Sequence, residues 1–596
     1  MSLKRHVKLK VKKIVSPDSR VGSVAYPVYG RIRQRILPKS NYTLWLSRED
    51  KVCFNSNHKK NMIRPKISIV VPCFNTPKKY INPLIDSVLD QTYGNWELCL
   101  ADGSNDVQKA KYIEEVSKRE KRIKYKRIKN KGIVGNTNQA LALATGEFIA
   151  FLDHDDMLSK YALNEVVKVI SEDNNVDLIY SDEDKISDNG KIRQIPFFKP
   201  DWSPDLLLGV NYITHFTVAR KKLVDEIGGL RDGFDGSQDY DFLLRITEKT
   251  NRIKHIPKIL YHWRLADGST SKVVSEKNYT DDAGRRALRD AVRRRGIKAE
   301  VLEIKDRPTN YRLRYSLPKK QPLVSIIIPF KDKSDLLKTC IDSILGKTTY
   351  NNYEIILISN NSTEEKTHTL LAKYKKNLKC RIFYWDNPFN YSAINNYGRR
   401  KSKGEYLVLL NNDTEVITPE WLDELVGVAS QKGVGAVGPL LFYPDKSIQH
   451  AGVVLGMTGM AGHVFRNRHK DEWTDFGLTT WPRNYLAVTG ACLVINTKKY
   501  DEVGGLDEKF IVAGNDVALG IKLQENGYRN VYWPFAELIH YENVSVGSYD
   551  NVPKSDYDHS LTYYKPYLDY NDPYFNKNLD LMEESVKLRM NYEKNK

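Results

Sequence analysis

Cysteine is scarce and unpaired in this chain: six thiols are scattered through 596 residues, and no two fall in a CxxC spacing. Zinc sites closed by paired thiolates need that spacing, and small folds stapled by disulfides are far richer in cysteine. Structural zinc and an oxidised framework are therefore not expected. Cys73, Cys99 and Cys492 sit inside apolar runs and are expected as reduced, buried thiols. No run of 18 or more apolar residues occurs, so no membrane-crossing helix is predicted. Lys4, Arg5, Lys8, Lys10, Lys12 and Lys13 make the N terminus basic, but the apolar stretch that follows in a signal peptide is missing. A cytoplasmic protein is the expectation. Nucleic-acid-binding motifs are also missing, and the basic residues are not set among aromatics as a base-stacking platform requires. No nucleic-acid partner is expected.

What is present is charge of one sign. The formal net charge of +19 asks for an anionic partner, and phosphorylated substrates or an anionic membrane surface both qualify. A polybasic segment gains about 1 kcal/mol per Lys or Arg near anionic lipid, so peripheral contact with the inner face of the cell membrane is allowed. The length calls for two or more domains.

The most informative stretch is Glu147 to Asp156, EFIAFLDHDD. Phe148, Ile149, Ala150 and Phe151 read as a short strand buried on both faces, which is the habit of a parallel sheet. The strand runs directly into Asp153, Asp155 and Asp156. Ligands of such sheets bind at the carboxyl ends of the strands, and carboxylates there can hold a hard cation against phosphate oxygens. About 260 residues later, Glu405 to Asp413 (EYLVLLNND) repeats the strand and its polar end.

The repeat is wider than this motif. ISIVV (67–71) ends at Pro72, and Ile81, Leu84, Ile85, Val88 and Leu89 then mark one face of an amphipathic helix. ELCLA (97–101) follows and ends at Asp102-Gly103-Ser104. VSIII (324–328) ends at Pro329, Leu337 to Leu345 repeat the helical face, and EIILI (354–358) leads to Asn360. A β–helix–β unit of this kind builds a doubly wound parallel sheet, and a period this long means a duplicated domain rather than a solenoid. The expected organisation is a basic leader over 1–65, an α/β domain over 66–305, a linker over 306–322, a second α/β domain over 323–555 and a tail over 556–596 with little regular structure. The arginines at 285, 286, 289 and 293–295 read as a solvated basic helix face.

The ordered set ISIVVPCFN, LADGSND, FLDHDD, SQDYDFLLR and YHWR resembles the family 2 glycosyltransferases, whose fold is called GT-A. VSIIIPF, ISNNST, LLNNDTEV, TGACLVI, GNDVALGIKL and LIHYE resemble them a second time. The resemblance covers about 66–300 and 322–550. It implies tandem GT-A domains that bind nucleoside diphosphate sugars. Pro72, Asn75 and Asp102 would then hold base and ribose in the first half, with Asp153 supporting. Pro329, Asn360 and Asn411 are the counterparts in the second. Asp155 and Asp413 are implied as ligands of Mg²⁺ or Mn²⁺, with His262 and His540 as additional ligands. Asp239 and Asp516 match the base that removes the acceptor proton, and Arg245 stands where it could pair with phosphate. The second half departs from the pattern at Asn360 and Asn411, which keep hydrogen bonding and lose charge.

The resulting expectation is a bifunctional inverting glycosyltransferase. It would use dTDP-rhamnose or a UDP-hexose and a lipid-linked saccharide acceptor, in bacterial cell-surface polysaccharide synthesis. One alternative makes only the first half catalytic, with the second an acceptor-binding module. A nucleotidyltransferase would want a Gly-rich, Arg-containing loop after the first strand, and neither PCFNTPKK nor PFKDKSD supplies one. A basic nucleic-acid-binding protein is the remaining, charge-based alternative.

Overall fold

The computed structural model describes residues 41–53, 63–266, 274–542 and 552–590. The N-terminal lysines and Arg5 of the expected leader lie outside the described residues. Residues 1–58 form one unit and 59–596 another. In the first, the described segment is a helix, Asn41–Cys53, on which the Tyr42 and Trp45 rings stack 5.8 Å apart.

The second unit holds the duplication. Its first half contributes β1 (Ile67–Cys73), β2 (Trp96–Asp102), β3 (Ile123–Arg127), β4 (Phe148–Phe151), β5 (Met157–Leu158), β6 (Leu178–Ile186), β7 (Arg193–Phe197), β8 (Val218–Arg220) and β9 (Ile253–Arg264). Among the described residues these form one sheet in the order β3-β2-β1-β4-β8-β6-β9-β5, with β7 paired to β6. The β3-β2-β1-β4 segment is parallel, and β8 enters antiparallel to both β4 and β6. Every residue of β1 and β2 is buried, as expected for strands covered on both faces.

A short hairpin follows, β10 (Ala299–Glu303) with β11 (Tyr311–Tyr315). The second sheet then uses β12 (Val324–Phe330), β13 (Tyr353–Ser359), β14 (Cys380–Tyr384), β15 (Tyr406–Leu410), β16 (Thr414–Val416), β17 (Val434–Phe442), β18 (Cys492–Asn496) and β19 (Arg529–His540). Their order, β14-β13-β12-β15-β18-β17-β19-β16, matches the first sheet strand for strand. The duplication extends to single hydrogen bonds. Ser68 donates to Glu97 at 2.7 Å and accepts from the Gly146 N–H at 2.8 Å; Ser325 does the same with Glu354 and Gly404 at the same distances.

Three expectations change. The segment 306–322 is not only a linker, because it contains β11, whose Tyr311, Leu313 and Tyr315 alternate inward while its arginines mask the pattern. The arginine-bearing helix Val274–Arg294 is not simply solvated: Arg285 pairs with Glu303, and Arg294 and Arg295 pair with Glu248. The tail is well structured. It opens with the helix Lys554–Tyr564, which spans the expected boundary, and then buries Phe575, Leu579 and Leu581. Its Asn576 side chain donates to Asp182 and to the Lys199 carbonyl, both in the first half, at 2.9 Å.

A polar seam joins the halves. Asp205 accepts from Asn484 Nδ2 at 2.7 Å and from Arg529 Nε at 2.5 Å, and Ser203 donates to Asn484 Oδ1 at 2.9 Å. Asp205 is buried, so its removal strands a cation in the seam. Breaking such a pair from one side costs about 3–5 kcal/mol. Asp205→Ala is expected to lose stability of that order in urea unfolding and to separate the melting of the two halves in calorimetry. A single transition at the wild-type midpoint would show that the seam does not couple them.

Candidate active site

In the first half the ends of β1 and β2 lie side by side, with Cys73 opposite Asp102, next to the switch point between β1 and β4 where the strand order reverses. Pro72 is buried within β1. Asp102 is buried and both its oxygens are engaged: Oδ1 accepts from the Ser104 N–H at 2.9 Å and Oδ2 from the Tyr125 hydroxyl at 3.0 Å. The Ser104 hydroxyl in turn accepts from the Asn75 N–H at 2.7 Å. Asn75 has a positive φ of 50°, a region Asn tolerates better than most residues. Asp102 thus shapes the turn that presents Asn75 and Ser104.

The acidic end of β4 faces β9. Asp156 is buried and accepts from the Arg264 N–H at 2.7 Å and from the Tyr261 hydroxyl at 2.6 Å. Burial, and then the neighbouring carboxylates, push the proton affinities of Asp156 and Asp155 above the ordinary carboxylate range. Among the described residues, Asp153, Asp156 and His215 each bring one ligand-capable atom within 4.8 Å of the others. That set differs from the Asp155 and His262 expected from sequence. The His262 Nδ1 lies 2.6 Å from Asp184 Oδ1, and Arg193 holds the other Asp184 oxygen at 2.6 Å. Asp155 enters the framework through its main-chain carbonyl, which accepts from Arg264 Nε at 2.5 Å.

His215 had no motif to announce it. Its ring stacks on Tyr261 with centroids 4.3 Å apart, and its backbone is clamped by a buried ion pair. The Lys199 ammonium donates to the carbonyls of Ile213 and His215, and Glu183 accepts from the His215 N–H at 3.1 Å. By strand register the corresponding position of the second half is Ala491, so the imidazole belongs to the first half alone.

Asp239 opens the helix Gln238–Ile246 and accepts from Asn211 Nδ2 at 2.8 Å. Burial raises its proton affinity, and the nearby His215 partly offsets the rise. Arg245 does not reach toward a phosphate: it donates to Asp241 at 2.8 Å and to the carbonyls of Ile227 and Gly229 at 2.7 Å.

The second half gathers its expected residues around one cavity of about 1260 Å³, with Pro329, Asn360, Asn411, Asp413, Asp516 and His540 all in the wall. Asn360 donates to the carbonyls of Trp385 and Asn387, both at 3.0 Å. Asp413 is buried, its Oδ1 accepts no hydrogen bond, and His540 Nε2 stands 3.3 Å from it. An orphaned buried carboxylate oxygen beside an imidazole suits a divalent cation that brings its own charge. Asp516, at the start of the helix Asn515–Glu525, accepts from the Gly490 N–H at 2.7 Å, and burial raises its proton affinity as it does for Asp239.

The model of glycosyl transferase family 2 matches residues 68–228 and again 325–502. The chain belongs to glycosyl transferase family 2. Its two sheets are the tandem GT-A domains of that family. An O-antigen biosynthesis protein, RfbC, of Myxococcus xanthus is 42% identical over 530 residues, covering 88% of this chain and 41% of that protein. An uncharacterised protein, y4gI, of Sinorhizobium fredii is 41% identical over 531 residues, covering 87% of this chain and 58% of its own length. The chain therefore spans about half the length of these relatives. Among solved structures, S. aureus TarS 1-349 in complex with UDP-GlcNAc is similar at 22% identity and a TM-score of 0.32, over 38% of this chain and 66% of that one. No described helix is long and apolar enough to cross a membrane.

The raised proton affinity of Asp239 has a stability consequence. Between the ordinary carboxylate range and the raised value the folded state holds a proton that the unfolded chain has lost, so stability falls as pH rises through that window. Asn, neutral throughout, escapes this loss, and Asn211 can reverse its amide to meet it. Asp239→Asn is expected to be more stable than wild type by roughly 0.5–2 kcal/mol at pH 7, with the gain gone near pH 4. Urea midpoints at the two pH values check it; a less stable variant at pH 7 would contradict the assignment.

Proposed function

We propose that the chain is a bifunctional inverting glycosyltransferase that transfers sugars from nucleoside diphosphate sugars to a lipid-linked saccharide acceptor. The observation that carries this reading is the cavity of the second half, where Asp413, His540 and Asp516 converge with Pro329 and Asn360, on a sheet whose strand order repeats that of the first half. Each half thus keeps an acidic strand end and a partly buried aspartate at a helix start.

The two aspartates suit the role of general base. A carboxylate in water is too weak a base for an alcohol, and burial moves it toward the operating pH. Asp239 or Asp516 takes the proton of the attacking hydroxyl as its oxygen bonds to the anomeric carbon. The bond from that carbon to the diphosphate oxygen breaks on the opposite face, and its electron pair leaves with the nucleotide. One displacement inverts the anomeric configuration. Mg²⁺ or Mn²⁺, held by the Asp153–Asp155–Asp156 end with His215 in the first half and by Asp413 with His540 in the second, would neutralise charge on the departing diphosphate. The site-shaping turn of Asp102, Ser104 and Asn75, and Asn360 in the second half, lie where base and ribose would rest.

The acceptor assignment draws on the likeness to the Myxococcus O-antigen biosynthesis protein and on the net charge of +19, which favours work at an anionic membrane surface. Bacterial surface-polysaccharide assembly is the process that fits, with dTDP-rhamnose or a UDP-hexose as donor. A second reading has a specific observation behind it: by strand register Asn411 stands where the first half has Asp153 and Thr414 where it has Asp156, a loss of carboxylates that would suit an acceptor-binding module.

Product masses on lipid-linked acceptor in membrane extract, with a panel of UDP- and dTDP-sugars, separate the two. Asp239→Asn and Asp516→Asn are each expected to slow one transfer about 10²–10⁴-fold and to stall at different, shorter products. Full-length product from Asp516→Asn would make the second half a binding module.

A further inference from the structure

The two halves differ most between β17 and β18, where residues 443–491 replace the shorter segment 187–217 that joins β6 to β8. Both segments carry a strand paired to the preceding one, Ile448–His450 on β17 as β7 on β6, and the longer segment adds a hairpin of Val453–Leu455 with Ala461–His463. It brings Gln449 and His463 into the cavity wall beside Asp413 and Glu542.

Behind His463 lies His450, fully buried, with the two Nδ1 atoms 2.8 Å apart. Two facing ring nitrogens can share only one proton. If His463 supplied it, His450 would carry its own proton on Nε2, which is buried and has no partner. An orphaned buried N–H is rarer than an orphaned lone pair, and leaving a buried donor unmet costs about 1–3 kcal/mol. His450 therefore donates from Nδ1, and its Nε2 is left as a bare lone pair. His463 accepts at Nδ1 and bears its proton on Nε2. Burial, and then the charge of Arg466, push His463 down to about 4, so the ring is neutral near pH 7. The Nε2 meets no described protein group.

Gln449 complements it. The residue is 2% exposed, and its side-chain Oε1 is buried without a hydrogen bond. The Glu542 carboxylate, held ionised by Tyr443 and Arg466 against the effect of burial, occupies the same wall. A phosphate offers only acceptors and negative charge, which the Gln449 oxygen and the Glu542 carboxylate disfavour at this part of the wall. A hydroxyl both accepts and donates, which is what an imidazole N–H beside an amide oxygen calls for.

We propose that residues 443–491 build a saccharide subsite in the second half, in which His463 Nε2–H and the Gln449 amide read hydroxyls of a neutral sugar ring and His450 fixes the tautomer. This rests on the glycosyltransferase reading and adds to it a specificity element that the first half lacks.

Two measurements on the full chain test it. With ¹⁵N-labelled histidine, two-bond proton–nitrogen correlations, assigned through His450→Phe and His463→Gln, are expected to show His463 protonated at Nε2 and His450 at Nδ1. The reverse pattern would overturn the proposal. Saturation-transfer NMR with methyl rhamnoside, methyl glucoside and methyl galactoside is expected to detect binding of at least one of them. That binding should weaken about tenfold in His463→Leu, the worth of one hydrogen bond, and persist in His463→Gln, whose amide reaches the Nε2 position. Equal binding by wild type and His463→Leu, or displacement of the glycoside by inorganic phosphate, would sink it. Calorimetry with UDP and dTDP runs alongside and is expected to show no change in His463→Leu. Failure of both nucleotides to bind wild type would refute the glycosyltransferase reading itself, independently of the saccharide result.

Discussion

Three carboxylates within four residues at the end of a buried strand are an electrostatic liability, and much of the first half is arranged around Asp153, Asp155 and Asp156. Asp156 cannot be hydrated where it lies, so β9 supplies a main-chain N–H from Arg264 and the hydroxyl of Tyr261. Tyr261 also accepts from the Asp153 N–H and carries the stacked ring of His215. The buried Lys199–Glu183 pair holds the turn that bears His215. Carboxylates gathered this closely, two of them with raised proton affinity, make a candidate site for a cation.

The second half meets the same constraint with less charge. Two of its strand-end positions are Asn411 and Asn412, Asp413 remains with one unpartnered oxygen, and His540 provides the neighbouring imidazole from β19. Sheet order and the Ser–Glu–Gly bond set are preserved, while the polar chemistry at the strand ends diverges. Such divergence on a constant scaffold is how one fold comes to carry two specificities. The seam of Asp205, Asn484 and Arg529 and the C-terminal tail then tie the copies into one unit.

Much of the scaffold could be read from the chain alone. Short apolar runs ending in Pro72, Asp102 and Asp153, and again in Pro329, Asn360 and Asn411, mark buried parallel strands and their ligand-facing ends. What escaped was set by long-range packing. His215 and Ala491 occupy equivalent positions, and only three-dimensional register shows that one of them reaches the carboxylates. Tyr311, Leu313 and Tyr315 alternate cleanly, but the arginines between them made the strand look like a linker. Asn576 is unremarkable in a polar tail until Asp182, almost four hundred residues earlier, is found beside it. Arg245 follows an acidic motif closely enough to suggest phosphate, yet Asp241 one turn before it captures the guanidinium.

The central claim is that one chain carries two complete and chemically distinct donor sites. The most direct test is the stoichiometry of nucleoside diphosphate binding in the presence of Mn²⁺, by titration calorimetry of the full chain with UDP and with dTDP. Two sites per chain of unequal affinity, one lost in Asp153→Ala and the other in Asp413→Ala, is the result the account predicts. A single site, removed by Asp153→Ala and untouched by Asp413→Ala, would contradict it.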